Sequence, residues 1–453
     1  MHGEHRFTEG PIALPLVKFT LPLLLAVFLQ AMYGAVDLAV VGRFGTEQDL
    51  AAVATGSQIM ETIAFFVMSL SMGTTVLIGR KLGQKREEEI GDVVGGSICL
   101  FAAAAAVITA VMLAAAEPIV TLMRVPPEAV EQTVSYVRIC SAGSVCVVAY
   151  HVLGSVFRGL GDSRTPLAAA AVACVCNIGI DLLLEMLWEK PVAAAATATV
   201  LSQAVSVAVC VLLIRRRGAP FPFRRRQVRF QAQVTRKVLA LGAPIALQDV
   251  LTDLAFLMVL AIVNGIGVTA VAAVGLAQKV CVFMMLVPSA YMESLSAFVA
   301  QNAGAGRDDR ARRAMRYGML MFLCLEAVLA AWMAGWGDWM AGLFGTQSAP
   351  VLLAAGRYLE ACAVDMLLLS VLYCFIGYFD GWGRTRFVLL EGVAGAFLIR
   401  VPAAFLVSRL APASYFLLGM GAPLASAVRL TLCVVYFWWL HRRGRSMTPE
   451  REP

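Results

Sequence analysis

Residues 215–237 read RRRGAPFPFRRRQVRFQAQVTRK, and this stretch divides the chain. Nine of its residues are Lys or Arg, between long apolar runs on both sides. Upstream the runs fall at about 14–42, 50–79, 92–116, 130–157, 166–187 and 191–214. Downstream they fall at about 238–264, 270–300, 314–336, 351–379, 387–408 and 415–441. A helix needs about 20 apolar residues to cross a bilayer, so each run is a candidate span. The expected fold is an all-α polytopic membrane protein with twelve spans. Its domains are 1–214, a basic linker 215–237, and 238–453 with a basic tail.

Composition agrees. Of 453 residues, 60% are hydrophobic and 15% charged, against about 25% charged in soluble domains. Arg6 and Lys18 before LPLLLAVFLQA imitate a secretory signal. The apolar run continues past any cleavage position, so it reads as an uncleaved first span. The 11 cysteines include no CxxC and read as small buried hydrophobes.

The net charge of +7 does not point to nucleic acid, because the basic residues cluster in short loops. Arg80, Lys81, Lys85 and Arg86 follow the second span, and Arg158 and Arg164 the fourth. The linker follows the sixth. Arg307, Arg310, Arg312, Arg313 and Arg316 follow the eighth, Arg384 and Arg386 the tenth, and Arg442, Arg443 and Arg445 the last. Loops after odd spans are nearly free of Lys and Arg. This asymmetry places the basic loops and both termini in the cytoplasm, in a multi-pass protein of the inner (cytoplasmic) membrane.

The halves repeat. AVATGSQ (52–58) pairs with AVGLAQK (273–279), IGRKLGQKRE (78–87) with VAQNAGAGRD (299–308), and GLGDSR (159–164) with GWGRTR (381–386). The offset stays at 221 or 222 residues. Six spans separate equivalent positions, so the halves share one orientation, a transporter architecture.

Ionisable residues inside spans mark sites. An aspartate at mid-bilayer costs about 2.5–3.5 kcal/mol on insertion scales. The first half carries Asp37, Glu61, His151, Asp181 and Glu185. Asp37 lies 19 residues past Lys18, and Asp181 lies 17 past Arg164. At about 1.5 Å per residue both sit about 25–29 Å in, at one level. Asn177 precedes Asp181 by one turn, and Thr199 enters from the other end of the sixth span to a similar depth. These four residues suit H+ or Na+ with oxygen ligands. Glu61 and His151 read as satisfied inside the bundle. Pro15 and Pro22 can bend the first span.

The second half carries Asp249 and Asp253 one turn apart, and Asp365 midway along the tenth span. They form a possible second acidic site, or simply face water. Glu293, Glu326, Glu391, Arg400 and Arg429 are also deep, and Arg400 is expected to pair with Glu391 or Asp365. The run VFMMLVP (282–288) suits an adaptable cavity or ordinary packing. GLGD (159–162) matches a string of intramembrane aspartyl proteases, but its place at a basic loop reads as a turn. There is no HExxH, GxSxG or Walker A string, so neither familiar hydrolysis nor ATP-driven pumping is supported, and no enzyme is expected.

LQAMYGAVDLAVVGRFG followed by LAAVATGS, then FRGLGDSRTPL, PIALQDVL, FVAQNAGAGRDDRARRAMRYG and LIRVPAAFLV resemble the multidrug and toxic compound extrusion (MATE) family over residues 10–440. The resemblance implies a secondary exporter of amphipathic or cationic compounds, exchanged for H+ or Na+. It implies two six-helix lobes in a V around a cleft, a monomer in the lipid bilayer, and no cofactor beyond the coupling ion. Asp37 matches the family's first-helix aspartate. Asn177, Asp181 and Thr199 match the amino-terminal-lobe ion site of one bacterial branch. In another branch the seventh and tenth helices supply acids; here Thr252 takes the seventh-helix position, and Asp365 is a turn out of register. Gly34 stands where relatives often have Asn. The alternatives are a flippase of lipid-linked saccharides on a related fold and, remotely, a membrane-embedded enzyme or sensor.

Overall fold

Helices account for nearly every described residue of the computed structural model, which describes residues 7–188, 190–218, 221–344 and 348–442. Arg6, the tail arginines Arg443 and Arg445, and linker residues 219–220 lie outside the described residues. The first half runs α1 (Ala13–Phe44), α2 (Glu47–Gly83), α3 (Glu87–Leu122), α4 (Val130–Ala142), α5 (Ser144–Leu160), α6 (Arg164–Leu187) and α7 (Pro191–Arg217). The second runs α8 (Ala232–Asn264), α9 (Val268–Gly304), α10 (Asp308–Gly342), α11 (Ala349–Gly381), α12 (Thr385–Val393), α13 (Val401–Leu410), α14 (Tyr415–Gly419) and α15 (Gly421–Arg442). Among the described residues, 11 helical runs are long and apolar enough to cross a bilayer, and α4 with α5 make a twelfth across a 51° bend. The protein is an all-α, multi-pass membrane protein.

The repeat is visible in helix bounds. α2 and α9 start 221 residues apart, at 47 and 268, and end 221 apart, at 83 and 304. The halves differ where a helix is interrupted. The fourth span breaks at Gly143, whose absent Cβ would lie 2.3 Å from Val200 Cγ1 on α7. Its counterpart α11 is continuous. The eleventh span is one helical run, Thr385–Leu410, as expected, and it widens into a π segment, Ala394–Arg400, between α12 and α13. Pro402 follows directly; it has no N–H to give an α-helical bond, and a wider turn absorbs such a gap.

Local chemistry sets the ends. Thr46 caps α2 reciprocally with Asp49, its N–H reaching Asp49 Oδ2 at 2.9 Å. α5 ends at Gly161, in the left-handed region at φ +84°. Asp162 then accepts from the Arg164 and Thr165 N–H groups at 2.9 and 3.1 Å, and so starts α6. GLGD is a turn.

The chain packs as two units. One comprises Lys18–Gly242; the other comprises Phe7–Val17 and the residues from Ala243 onward. The linker-based division differs in two places. The start of α8 belongs with the first unit, where Gly73 of α2 admits it: a Cβ on Gly73 would lie 2.2 Å from the Val238 carbonyl oxygen. Gln231 also donates to Asp92 at 3.2 Å. Residues 7–17 leave the first half altogether. The first unit's core near the site gathers Val41, Val53, Tyr136, Cys140 and Ala196. The second packs α9, α10 and α11 around Ala277, Met333, Leu359 and Met366, with Met284 against that core. The cysteines are free, six of them buried.

Candidate functional site

Asp37 sits on α1 seven residues before its end, and Asp181 sits on α6 six residues before its end. Thr199 is the ninth residue of α7. These positions share a level about 9–12 Å from the helix ends at 1.5 Å per residue. Side chains join there. Thr199 Oγ1 donates to Asp37 Oδ2 at 2.7 Å, and Asn177 Nδ2 approaches Asp37 Oδ1 at 3.5 Å. Asp37 is 1% exposed, and Asn177 and Asp181 are 0%.

Asp181 differs from Asp37. Among the described residues, neither of its carboxylate oxygens has a hydrogen-bond partner, and neither does Asn177 Oδ1. Three buried acceptor oxygens are therefore left without a donor among the described residues. No ion pair among the described residues reaches Asp37 or Asp181. A bare carboxylate in such a place costs several kcal/mol. Binding a proton or a small cation removes that cost. Glu185, one turn beyond, adds a further buried oxygen without a partner, Oε1.

One residue of this neighbourhood carries no signal in the sequence as a site member. Tyr136 of α4 is fully enclosed and faces the Asp37 carboxylate. Its ring packs on Gly56 of α2, where a Cβ would lie 2.5 Å from Tyr136 Cδ1. Glu61, expected to be satisfied in the bundle, is exposed on α2 and has no hydrogen-bond partner among the described residues. Its Oε1 stands 2.9 Å from where a Cβ on Gly34 would be. The absent side chain at Gly34, three residues before Asp37, leaves that room. His151 is buried with its ring edge-on to Tyr150, centroids 5.6 Å apart.

α1 is continuous through Pro22. Pro15 falls in the first turn, where its N–H would be unpaired in any case. Pro22 lies in the interior and removes one helical bond.

The second unit is organised differently. Asp249 and Asp253 are both exposed on α8. Asp365 stands beside Ser426, Arg400 and Arg429. Arg429 grips Glu391 with two bonds, Nε to Oε2 at 2.8 Å and Nη2 to Oε1 at 3.0 Å. With its amide turned to satisfy both neighbours, Gln248 donates to the Val388 carbonyl and accepts from Arg429. Glu391 is thus taken by Arg429 and not by Arg400. Arg400 lies over the Phe256 ring at 5.7 Å, with no ion pair among the described residues. Two guanidinium groups flank Asp365, an arrangement that opposes a cation there. Glu326 of α10 is wholly buried, and neither carboxylate oxygen has a hydrogen-bond partner among the described residues. Glu293 is buried on α9.

The MatE family profile matches residues 22–183 and 244–406. The chain is 26% identical over 432 residues to "Probable multidrug resistance protein YoeA" of Bacillus subtilis, covering 94% of this chain and 93% of that one. It is 24% identical over 417 residues to an FAD transporter of Shewanella oneidensis, covering 90% and 91%. A crystal structure of MATE in the bent conformation matches with a TM-score of 0.89 at 20% identity, covering 98% of each chain. Two matched segments, one in each half and together most of the chain, place this protein in the MatE (MATE) family of membrane transporters, and it is not an enzyme.

Proposed function

We propose that this chain is a cation-coupled exporter of small amphipathic or cationic molecules, working by alternating access, with H+ or Na+ bound at Asp37, Asp181, Asn177 and Thr199. The observation that carries this reading is the set of three buried, donor-free oxygens on Asn177 and Asp181 beside Asp37. The ion binds when the site opens to the side opposite the basic loops. It neutralises the two carboxylates, and α1 bends at Pro22. The cargo-bearing state loses affinity, and cargo leaves. A coupling ion acts only through its different affinity for the two states. A MATE relative of the same fold in a bent conformation supports motion of this kind. The basic loops and both termini then lie in the cytoplasm, and the protein works as a monomer in the inner membrane.

The test is ethidium efflux from proteoliposomes under a proton gradient or a Na+ gradient, imposed separately. Asp37→Asn combined with Asp181→Asn abolishes the response to the driving gradient. Full coupling in that double variant ends the proposal.

A second reading concerns the cargo. Arg400, half-buried over Phe256, suits an anionic aromatic compound, and the Shewanella relative is an FAD transporter. FAD efflux from the same vesicles distinguishes the two.

The acids of the second unit, Asp249, Asp253 and Asp365, stand outside the proposed coupling site. The two arginines beside Asp365, Arg400 and Arg429, support that exclusion.

A further inference from the structure

The segment Phe7–Gly10, just before α1, is held along α9 and α10 of the second unit. Arg310 of α10 donates from Nη1 to the Gly10 carbonyl at 2.7 Å. Its Nη2 reaches the carbonyls of Phe7 at 3.0 Å and Glu9 at 3.1 Å. Arg307 holds the Thr8 carbonyl at 2.8 Å. Every carbonyl from Phe7 to Gly10 is thus taken by a guanidinium. Gln301 Oε1 accepts from the Phe7 N–H at 3.1 Å, and Asn302 Nδ2 donates to its carbonyl at 3.3 Å. The Phe7 ring stacks on Phe298 with centroids 5.0 Å apart.

This is a strong clamp for a short irregular segment. Charge-assisted hydrogen bonds are about twice as strong as neutral ones. Arg310 is only 9% exposed and spends its fork on main-chain carbonyls. Gly10, at φ +72°, then turns the chain towards α1. Within that helix the packing changes hands: residues to Val17 belong to the second unit, and residues from Lys18 to the first. Asp37 lies further along the same helix. α8 shows the reverse exchange, because its first turns, to Gly242, belong to the first unit.

A helix transmits displacement along its axis only if its end is held; a free end frays and dissipates it. We infer that Arg310 is a positioning residue for ion coupling: it anchors the start of α1 to the second unit, so that a shift of α1 at Asp37 is carried into that unit. The inference rests on the reading of Asp37 as the coupling site. It goes beyond that reading by naming the mechanical link and the residue that makes it.

The test uses full-length protein in proteoliposomes, with ethidium as cargo. Three quantities are read: ethidium affinity at a fixed ion concentration, efflux driven by an imposed ion gradient, and hydrogen exchange in residues 7–17. In Arg310→Ala exchange rises in that segment, ethidium affinity stays within about 2-fold, and gradient-driven efflux falls about 10-fold or more. Arg310→Lys, a point charge in place of a fork, recovers part of the efflux. A second variant inserts two glycines between Gly10 and Pro11. It keeps the clamp, so residues 7–10 stay protected, but cuts the mechanical link, and its driven efflux falls as in Arg310→Ala.

Efflux at the wild-type rate in the insertion variant overturns the inference, and this result stands even if Arg310→Ala does not fold. Unchanged exchange in folded Arg310→Ala also overturns it. Wild-type protein with no response to either gradient overturns instead the assignment of coupling to Asp37.

Discussion

Thr199 donates its hydroxyl proton to Asp37 at 2.7 Å, across 162 residues of sequence. That bond ties α7 to α1 at one level and leaves the Asp181 oxygens as the unpaired members of the set. A hydrogen bond to a charged group contributes about 1.5–3 kcal/mol. Thr199→Val removes the donor and keeps the shape. It is expected to slow gradient-driven efflux about 10-fold or more, a loss in the range of that bond energy. Thr199→Ser keeps the hydroxyl and stays close to the wild-type rate. Ethidium efflux measured side by side in the two variants checks this.

Asp181 predicts an opposition between stability and function. Its carboxylate is buried and has no hydrogen-bond partner among the described residues. Asp181→Asn removes a buried charge and supplies an amide donor. The thermal midpoint in detergent without coupling ion is expected to rise, by a gain of about 1–3 kcal/mol. Driven efflux is expected to be lost in the same variant. A fall in the midpoint would show that Asp181 has a structural partner after all.

Glu391 and Arg429 form a closed pair, and breaking it on one side strands a buried charge. Glu391→Leu is expected to destabilise by about 3–5 kcal/mol. Glu391→Leu with Arg429→Met is expected to lie much nearer the wild type, since apolar replacements often equal a buried pair. Thermal unfolding of the two single variants and the double variant measures the coupling between the residues.

Two glycines separate a backbone obstacle from a side-chain one. A Cβ on Gly73 would meet the Val238 carbonyl at 2.2 Å, whereas a Cβ on Gly34 would meet only the tip of Glu61 at 2.9 Å. Gly73→Ala forces α2 and α8 apart, at a cost of about 1–3 kcal/mol. Gly34→Ala needs only a turn of the Glu61 side chain, and the expected cost is below about 1 kcal/mol. Melting temperatures of the two variants, prepared together, decide the order.

Much of this was legible in the residues. Long apolar runs predict spans because a bilayer admits only chains that satisfy their own backbone. The 221-residue offset predicts two equivalent halves, and α2 and α9 match it at both ends. Counting from Lys18 and Arg164 places Asp37 and Asp181 at one depth, because helical rise is constant. Asn177 and Thr199 follow from the same count.

Other features were not legible. Hydropathy and depth are properties of position along one helix, whereas a hydrogen bond depends on which helix faces which. The sequence by itself determined the spans, the repeat and the presence of acids at one level. Only the tertiary structure decided that Asp37 has a donor while Asp181 has none among the described residues, that Tyr136 faces Asp37, and that Arg429 takes Glu391. It also decided that the chain divides at Gly242, and that residues 7–17 belong with the second unit. The physical reason is that packing pairs side chains from distant parts of the chain. The guanidinium of Arg310 binds the carbonyl of Phe7 across 303 residues, and a carbonyl carries no mark of its partner in the sequence.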